Sequence, residues 1–572
     1  MNKINILSED LANKIAAGEV VERVGNVVKE LVENSIDAGA KTIEIKLEDS
    51  GTKSIKILDD GSGMNKIDAK NAFLRHATSK IKTDDDLFFI SSLGFRGEAI
   101  PSIASVSKVT LITSTGEEGT KIVVNGGKFI EETKAPARKG TMIEVRDLFY
   151  NTPARLKYLK SDNSELANVT NYVEKLSLAK ENISFTLINN DKVIIKTSGS
   201  NNLLKTIHEL YGIEVSKNMM EVKGENNDYS IYGYVGSPSV LRSSRNYLTT
   251  IVNDRVVKNY DLNKIINDAY FTYKPDNKFP IVVLKIETDP TLIDVNIHPT
   301  KQDIKFSKIN ELEDLIFENI RNTLYKENLI PKVEVKTKDT YKKKEIKKEY
   351  PEIINNTEVN EVQEEFNFTE DKNNEVKQLE LYPIGLVFGT YIVAQNEEGM
   401  YLIDHHAAHE RINYEKILNN LNNNEKNIID MLVPLTIELS PSDYLIFNEK
   451  KDILIDMGFN LEEFGINTIV IKSHPIWLLE GYEDETIRGI IDIVISLPKE
   501  FDYVKFNHSI AAEAACKKSV KGNTSITISE MENIIKDLFK CDNPYNCPHG
   551  RPTIITFTLY ELEKMFKRTG SS

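Results

Sequence analysis

Glu30 and Asn34 lie four apart in the stretch Asn26-Val-Val-Lys-Glu-Leu-Val-Glu-Asn-Ser-Ile-Asp-Ala-Gly39, so they leave one face of a helix one turn apart. A carboxylate that can take a proton and an amide oxygen that can hold a cation would meet there, the pairing that activates water beside a metal ion. A solvated helix face is the commoner use of such a pair. Next come Ile57-Leu-Asp-Asp-Gly-Ser-Gly63, read as an apolar strand ending in D-x-G-x-G, then Arg75-His-Ala-Thr-Ser-Lys-Ile81, Leu93-Gly-Phe-Arg-Gly-Glu-Ala99 and Lys139-Gly-Thr141. Glycines 61, 63, 94 and 97 let backbone N–H groups approach a ligand closely, which suits phosphates. No G-x-x-x-x-G-K-[ST] is present, which excludes a P-loop as the nucleotide site.

A second group of chemically capable residues lies far down the chain. Met400 to Glu415 reads as a strand running into a helix that is expected to start near Ala407. His406 and Glu410 then share a face, with Asp404 at the strand end; Glu415 is five past Glu410 and points elsewhere unless the helix ends or a second metal is served. Imidazole with carboxylates suits Zn²⁺ or Mn²⁺. The order H-A-A-H-E is not H-E-x-x-H, so a zinc protease would lack its base in the right place. Cys516 sits on a helical segment, where a small buried hydrophobe is the default. In Cys547-Pro-His-Gly-Arg-Pro552 the proline and glycine form a turn that aims Cys547 and His549 outward, and Cys541 is read as structural.

The elements that must position these groups follow from hydrophobic period. Val27, Val28, Leu31, Val32 and Ile36 mark the buried stripe of the first helix. Strands are expected at 43–47, 54–58, 108–112 and 141–145, alternating with helical segments, and further helices at 203–211 and 262–269. At 572 residues the chain needs several cores. The boundaries read as an α/β domain over 1–200, a second α/β domain over 201–330, a linker over 331–378 and a third domain over 379–572. The linker is basic and then acidic with few apolar anchors, too little to offset chain entropy, so disorder is expected; its lysines could touch DNA, but a solvated spacer is the commoner use. There is no internal repeat.

A net charge of -15 does not suggest a nucleic-acid binder, so any DNA contact must come from local basic patches. No apolar run approaches the ~20 residues of a membrane helix, and the N-terminus has no secretory h-region. Three cysteines, all near the C-terminus and without a secretory signal, point to a reducing cytosol and to metal or thiol roles.

Jointly the N-terminal segments resemble the GHKL ATPases, and V-K-E-L-V-E-N-S-I-D-A-G-A, R-H-A-T-S-K-I, L-G-F-R-G-E-A and Asp147-Leu-Phe-Tyr-Asn-Thr-Pro-Ala-Arg155 are similar to the MutL mismatch-repair family. The resemblance implies a Bergerat-type α/β sandwich with a helical layer over a mixed sheet, a second α/β transducer domain, and a C-terminal α/β dimerisation domain that binds metal. It implies ATP and Mg²⁺ as cofactors. Glu30 would be the general base, Asn34 the Mg²⁺ ligand, and Asp59 the acceptor for the adenine amino group, with Gly63 leaving room for the base and Thr141 beside it. Ser79, Lys80, Gly94 and Gly97 would close over the phosphates, and Lys301, in Asp294-Val-Asn-Ile-His-Pro-Thr-Lys301, would reach the γ-phosphate. Each has a plainer alternative alone: Lys301 as a surface lysine, Asp59 as a turn former. Departures are Asp60 where asparagine is frequent, Val24 where proline is usual, and Asp254 where glycine is expected. A type II topoisomerase would add a tyrosine cleavage domain and an acidic metal-binding module, and a histidine kinase an upstream phosphoacceptor helix. The superfamily's heat-shock chaperone shares the charged linker but not G-F-R-G-E-A.

The C-terminal segments resemble the endonuclease site of those MutL proteins that nick DNA, whose motif is D-Q-H-A-x-x-E-x-x-x-x-E; His405 replaces the glutamine here. The implied ligands of Mn²⁺ or Zn²⁺ are Asp404, His406, Glu410, Cys547 and His549, with Glu415 and Cys516 as further candidates. Asp404 and Glu410 would be catalytic. Implied partners are double-stranded DNA, a MutS-type mismatch sensor and a second copy of the chain, in the bacterial cytoplasm and at the nucleoid during repair. A sliding-clamp contact is in question, because Ile429 stands at the glutamine position of the clamp motif before Val433-Pro434; the segment Gln378-Leu-Glu-Leu381 is an alternative. The competing reading is a non-nucleolytic, ATP-driven matchmaker whose C-terminal cluster holds structural zinc.

Overall fold

The computed structural model describes residues 18, 20–80, 97–274, 278–294, 304–326, 380–423, 427–478, 481–498, 500–516 and 526–566. The linker expected over 331–378, and the predicted site residues Gly94 and Lys301, lie outside the described residues.

Helix α1, Val24–Asp37, forms where the apolar stripe was expected: Val24, Val27, Val28, Leu31 and Val32 are all buried. Full burial of each such side chain contributes roughly 1.5–3 kcal/mol. The helix stops at Ala38, and Gly39 turns the chain with φ of +75°. It packs on an eight-stranded mixed sheet of order β5-β4-β3-β6-β2-β1-β7-β8. The strands are β1 (Thr42–Glu48), β2 (Ser54–Asp59), β3 (Lys108–Ser114), β4 (Gly119–Asn125), β5 (Lys128–Ala135), β6 (Gly140–Arg146), β7 (Ser184–Asn189) and β8 (Lys192–Lys196). Only β1 and β7 pair in parallel; the rest of the sheet is antiparallel. Alternation puts Ile43, Ile45 and Leu47 of β1 into the core while their neighbours face outward. Helix α2, Asp162–Ala179, packs against α1.

Helix α3, Leu203–Lys217, opens with Asn202 accepting from the Lys205 N–H, a side-chain cap. It leads into a five-stranded sheet of order β12-β11-β13-β10-β9, with β9 (Met219–Glu225), β10 (Tyr229–Gly236), β11 (Leu248–Val252), β12 (Arg255–Val257) and β13 (Val282–Thr288). The β11–β12 turn is Asn253-Asp254, with φ of +46° and +66°. That explains why glycine was expected at 254: both turn residues are left-handed, and Asn and Asp are among the few others that tolerate it. Helices Tyr260–Ala269 and Ile309–Lys326 cover this sheet, and β14 (Ile293–Asp294) and β15 (Lys305–Phe306) form a short ladder.

The C-terminal part holds two sheets. One has the order β16-β17-β18-β22, from β16 (Tyr382–Val387), β17 (Tyr391–Asn396), β18 (Gly399–Asp404) and β22 (Ile554–Thr558). The other, β19-β21-β20, comprises β19 (Ile428–Glu438), β20 (Asn460–Glu463) and β21 (Thr468–Pro475). Helices α4 (His405–Asn422), α5 (Pro441–Asp456) and α6 (Glu483–Ser496), with Tyr503–Cys516 and Ile528–Leu538, complete it. Helix α4 starts at His405, two residues earlier than expected. Asp404 is the reason: its carboxylate accepts from the N–H groups of His406 (3.0 Å) and Ala407 (3.2 Å), an N-cap that begins the helix at the strand end.

Candidate functional sites

The first site is built where α1 faces the ends of β2 and β6. Asp59, the last residue of β2, is buried, and its carboxylate accepts from Ser35 Oγ (2.7 Å), Gly61 N (3.0 Å) and Thr141 N (3.1 Å). Burial raises its pKa, and these three donors only partly offset that. Gly63 has φ of +66°, and a Cβ there would lie 1.9 Å from the Ser114 carbonyl oxygen. The Thr141 hydroxyl is 3.0 Å from that of Thr113. Asp60 turns the other way and accepts from Lys41 N (2.7 Å) and Thr42 N (2.9 Å); burial works to raise its pKa, but the backbone donors outweigh it and the pKa is lowered. An asparagine oxygen could accept the same two bonds, which accounts for the exchange at this position.

Glu30 and Asn34 lie on α1 as the spacing demands. Lys80 Nζ donates to Asn34 Oδ1 at 2.9 Å and pairs with Asp37 Oδ2 at 2.5 Å, so an ammonium stands at the amide oxygen that the resemblance assigns to a metal ion. Ser79 is exposed next to it. Gly97 has φ of +61°, and a Cβ there would lie 2.5 Å from the Ala77 carbonyl oxygen. The structure therefore gathers Glu30, Asn34, Asp59, Gly63, Lys80 and Thr141 around α1 and β2. Sequence reasoning missed Ser35 and Asp37. Both follow Asn34 on the same helix within one turn, a signal available from spacing alone.

The second site lies at the start of α4. Glu410 is buried at 3 % exposure and Cys547 at 2 %, and the ligand atoms of Glu410, Cys547 and His549 all lie within 4.8 Å of one another. The turn that brings thiol and imidazole together closes through Gly550 N to Cys547 O (2.9 Å) and Cys547 N to Arg551 O (2.8 Å), with Gly550 at φ of +84°. Arg551 Nη2 holds both Glu410 oxygens, at 2.9 and 3.1 Å, and His549 Nδ1 is 3.4 Å from Oε2. Burial pushes the Glu410 pKa up, but His549, Arg551 and Cys547 more than reverse it, leaving it below the ordinary carboxylate value.

Not every expected ligand joins this group. Glu415 accepts from Asp542 N (2.8 Å) and Asn543 N (3.3 Å) and so holds the loop after the helix Ile528–Leu538. Asp404 is engaged as the cap of α4, and the His405 ring lies tilted at 46° against that of His406, with Nε2 3.1 Å from the Gly389 carbonyl. The side chain of Cys516 lies outside the described residues. Cys541 is separate: burial pushes its thiol up to about 12, and Sγ lies 3.5 Å from the Asp537 carbonyl. Arg551 was missed as a site residue although it stands inside the C-P-H-G-R-P turn.

Family models match both halves of the chain. Residues 22–149 match the model of the "Histidine kinase-, DNA gyrase B-, and HSP90-like ATPase" family, 207–325 the "DNA mismatch repair protein, C-terminal domain", and 384–526 the "MutL C terminal dimerisation domain". The chain is 44% identical to the DNA mismatch repair protein MutL of Listeria innocua, covering 98% of each chain, and 42% identical to that of a Geobacillus strain, covering 99% and 100%. The chain belongs to the MutL family. It is a DNA mismatch repair protein with a GHKL-type ATPase domain. Among solved structures, the N-terminal domain of a DNA repair protein matches at 28% identity and a TM-score of 0.48 over 55% of this chain and 98% of that one. The ADP complex of the Aquifex aeolicus MutL ATPase domain matches at 24% and 0.38 over 54% and 100%. No helix among the described residues is long and apolar enough to cross a membrane.

Proposed function

We propose that this MutL-family chain is a homodimeric, ATP-gated clamp on double-stranded DNA that couples a MutS-type mismatch sensor to metal-dependent nicking. The observation that carries the nicking is the convergence of Glu410, Cys547 and His549, two of them buried, from segments far apart in sequence. A thiol, an imidazole and a carboxylate form a donor set that fits Zn²⁺, while Mn²⁺ would rest on the carboxylate and imidazole. Such ions supply Lewis acidity, activating water and neutralising the leaving oxygen. Glu410 and the Cys547–His549 turn bind and orient; Arg551, now on Glu410, offsets the carboxylate charge and is placed to meet a phosphate. Asp404 and His406 at the head of α4 would add a carboxylate and an imidazole to this set, with Cys516 a further candidate, whereas Glu415 is held on the Asp542 and Asn543 amides. In the reaction a water oxygen bonds to phosphorus while one P–O ester bond breaks, leaving a phosphate and a hydroxyl.

In the N-terminal site Asp59 reads the adenine amino group, Thr141 and Gly63 bound the base, and Ser79, Lys80, Gly94 and Gly97 wrap the phosphates. The amide oxygen Asn34 Oδ1, which here accepts a hydrogen bond from the Lys80 ammonium, would hold Mg²⁺. Glu30 takes the proton of the water that attacks the γ-phosphorus as the bond to ADP breaks, and Lys301 reports the γ-phosphate to the second domain. Dimerisation is supported by the matched C-terminal family and by apolar side chains on β16 and β22, where Tyr382, Ile384 and Ile555 are all more than half exposed. A sliding-clamp contact would use Leu432 and Val433, exposed on the bulge of β19, since Ile429 stands at the glutamine position; the segment Gln378-Leu-Glu-Leu381 is the alternative.

The alternative matchmaker is favoured by one feature: Glu410 is already satisfied by Arg551, as in a structural cluster. Nicking of supercoiled plasmid in Mn²⁺ at low salt separates the two. Nicking by the wild type, lost in Asp404→Asn and Glu410→Gln but kept in Glu30→Ala, supports the nuclease. Equal nicking by Asp404→Asn, Glu410→Gln and wild type rejects it and leaves the matchmaker.

A further inference from the structure

The C-terminal part rests on the ATPase half through polar groups that are buried in matched pairs. Ser440 caps α5, and the first turn of α5 lies on α2: Ser442 Oγ donates to Glu174 Oε2 at 2.8 Å, and the buried Asp443 carboxylate takes the Tyr247 hydroxyl. Helix α3 breaks at Gly212, φ +86°, so the Ile213 N–H is released from its own helix and donates to Glu438 Oε2 of β19 at 2.7 Å. A Cβ at 212 would lie 2.2 Å from that carboxylate. Arg488 of α6 pairs with Glu214 at 2.5 Å, and Lys278 lies 3.9 Å from both Asp492 and Glu513.

Two properties of this contact decide what it can do. It spans both N-terminal sheets: Glu174, and the Ile194 carbonyl that accepts from Asn467 (3.0 Å), belong to the first, whereas Tyr247 and Lys278 belong to the second. A body attached to both adds a second tie between sheets that already share an apolar core through Ile251, Ile281 and Val283. The contact also includes buried polar pairs beside an apolar one, Leu445 against the N-terminal core, and relative motion is the default for contacts between domains. Helix α2 lies between the contact and the nucleotide site, since its Tyr172 hydroxyl reaches Glu33 of α1 at 3.5 Å while its Glu174 faces α5.

We propose that the C-terminal domain docks on the ATPase half of its own chain through the Glu438, Ser442, Asp443 and Arg488 patch, and that this docked state restrains ATP turnover by locking the two N-terminal sheets in one relative orientation. The restraint rests on the proposed reading that Lys301 links the γ-phosphate to the second domain; the docking does not. Complementarity of this kind costs little to undo at its rim and much at its centre, because an opened contact leaves Glu438 and the Ile213 N–H to be rehydrated.

The test is hydrogen exchange at the Ile213 amide in the full-length chain, with ATP hydrolysis measured on the same samples. Arg488→Glu and Glu214→Arg each reverse one charge at the rim, and the double variant restores the pair. Docking predicts slow exchange in the wild type, at least about tenfold faster exchange in each single variant, and recovery in the double. The restraint predicts ATP turnover raised several-fold in the singles and returned in the double. Fast exchange in the wild type, or exchange indifferent to both reversals, overturns the docking. Faster exchange without faster turnover overturns the restraint and spares the docking. Exchange that slows as protein concentration rises places the contact between chains and overturns docking in cis, because a tethered partner is held at a roughly millimolar effective concentration regardless of dilution.

Discussion

Replacing Asp59 with asparagine separates what this carboxylate does for the fold from what it does for the nucleotide. In the structure Oδ1 accepts two backbone N–H groups and Oδ2 accepts Ser35. Asparagine keeps an oxygen for Gly61 and Thr141. The Ser35 hydroxyl, which also has the Leu31 carbonyl at 3.2 Å, can donate there and accept from the new amide. Burial raises the Asp59 pKa, so the native fold bears a cost for holding the charge that grows above the unfolded carboxylate pKa, and asparagine removes it. Thermal stability at neutral pH is therefore expected to stay level or rise. Adenine binding is expected to fall, since a hydrogen bond to a charged acceptor contributes about 1.5–3 kcal/mol, or roughly 10- to 150-fold in Kd. Calorimetric titration of ATP and of the triphosphate of unsubstituted purine, which lacks the amino group, completes the cycle. The wild type should lose about that factor with the analogue, and Asp59→Asn should not distinguish the two ligands. Equal loss in both proteins would refute the assignment of Asp59 to the amino group.

Gly63→Ala is expected to abolish ATP binding and lower stability by at least about 2 kcal/mol in denaturant titration, because a Cβ 1.9 Å from the Ser114 carbonyl forces backbone apart at a left-handed residue. Cys547→Ser should lower the zinc or manganese retained after desalting, measured by elemental analysis, by at least about tenfold while leaving ATP binding unchanged. Docking should strengthen on acidification. Asp443, facing Tyr247, Glu174, Arg242 and Lys175, and Asp492, facing Arg242, Lys278 and Glu513, are both pushed by burial from 3.8 up to about 6. The docked state thus holds protons that the undocked state releases between these values. Burying either charge opposes docking above pH 6, and that cost fades as pH falls through 6 toward 4. Ile213 exchange, corrected for its intrinsic rate, should be slower at pH 5.5 than at 7.5.

Much of the site was legible because its groups are local in sequence. The 3.6-residue period of Val27, Val28, Leu31 and Val32 specifies the buried face of α1 and thereby the facing of Glu30 and Asn34. The D-x-G-x-G turn announces a buried carboxylate and a left-handed glycine within five residues. The C-P-H-G-R-P turn likewise carries its own geometry. Helix boundaries were less legible: Asp404 begins α4 by capping it, and a side chain that caps competes with the role of a free ligand. Glu415 could be excluded from the Glu410 face by spacing, but its use on the Asp542 and Asn543 amides depends on a loop more than a hundred residues away.

What the sequence alone determined is the chemistry: which side chains can bind nucleotide or metal, and the helices and strands that carry them, since periods and turns are short-range constraints. Only the tertiary structure decided which carboxylates are free and which are spent. It alone put Lys80 on Asn34, Ser35 on Asp59, Arg551 on Glu410, and α5 on α2. The physical reason is that burial and partnership at these sites come from contacts between distant segments. Desolvation, which raises the pKa of Asp59 and Asp443, exists only once those segments have closed over them.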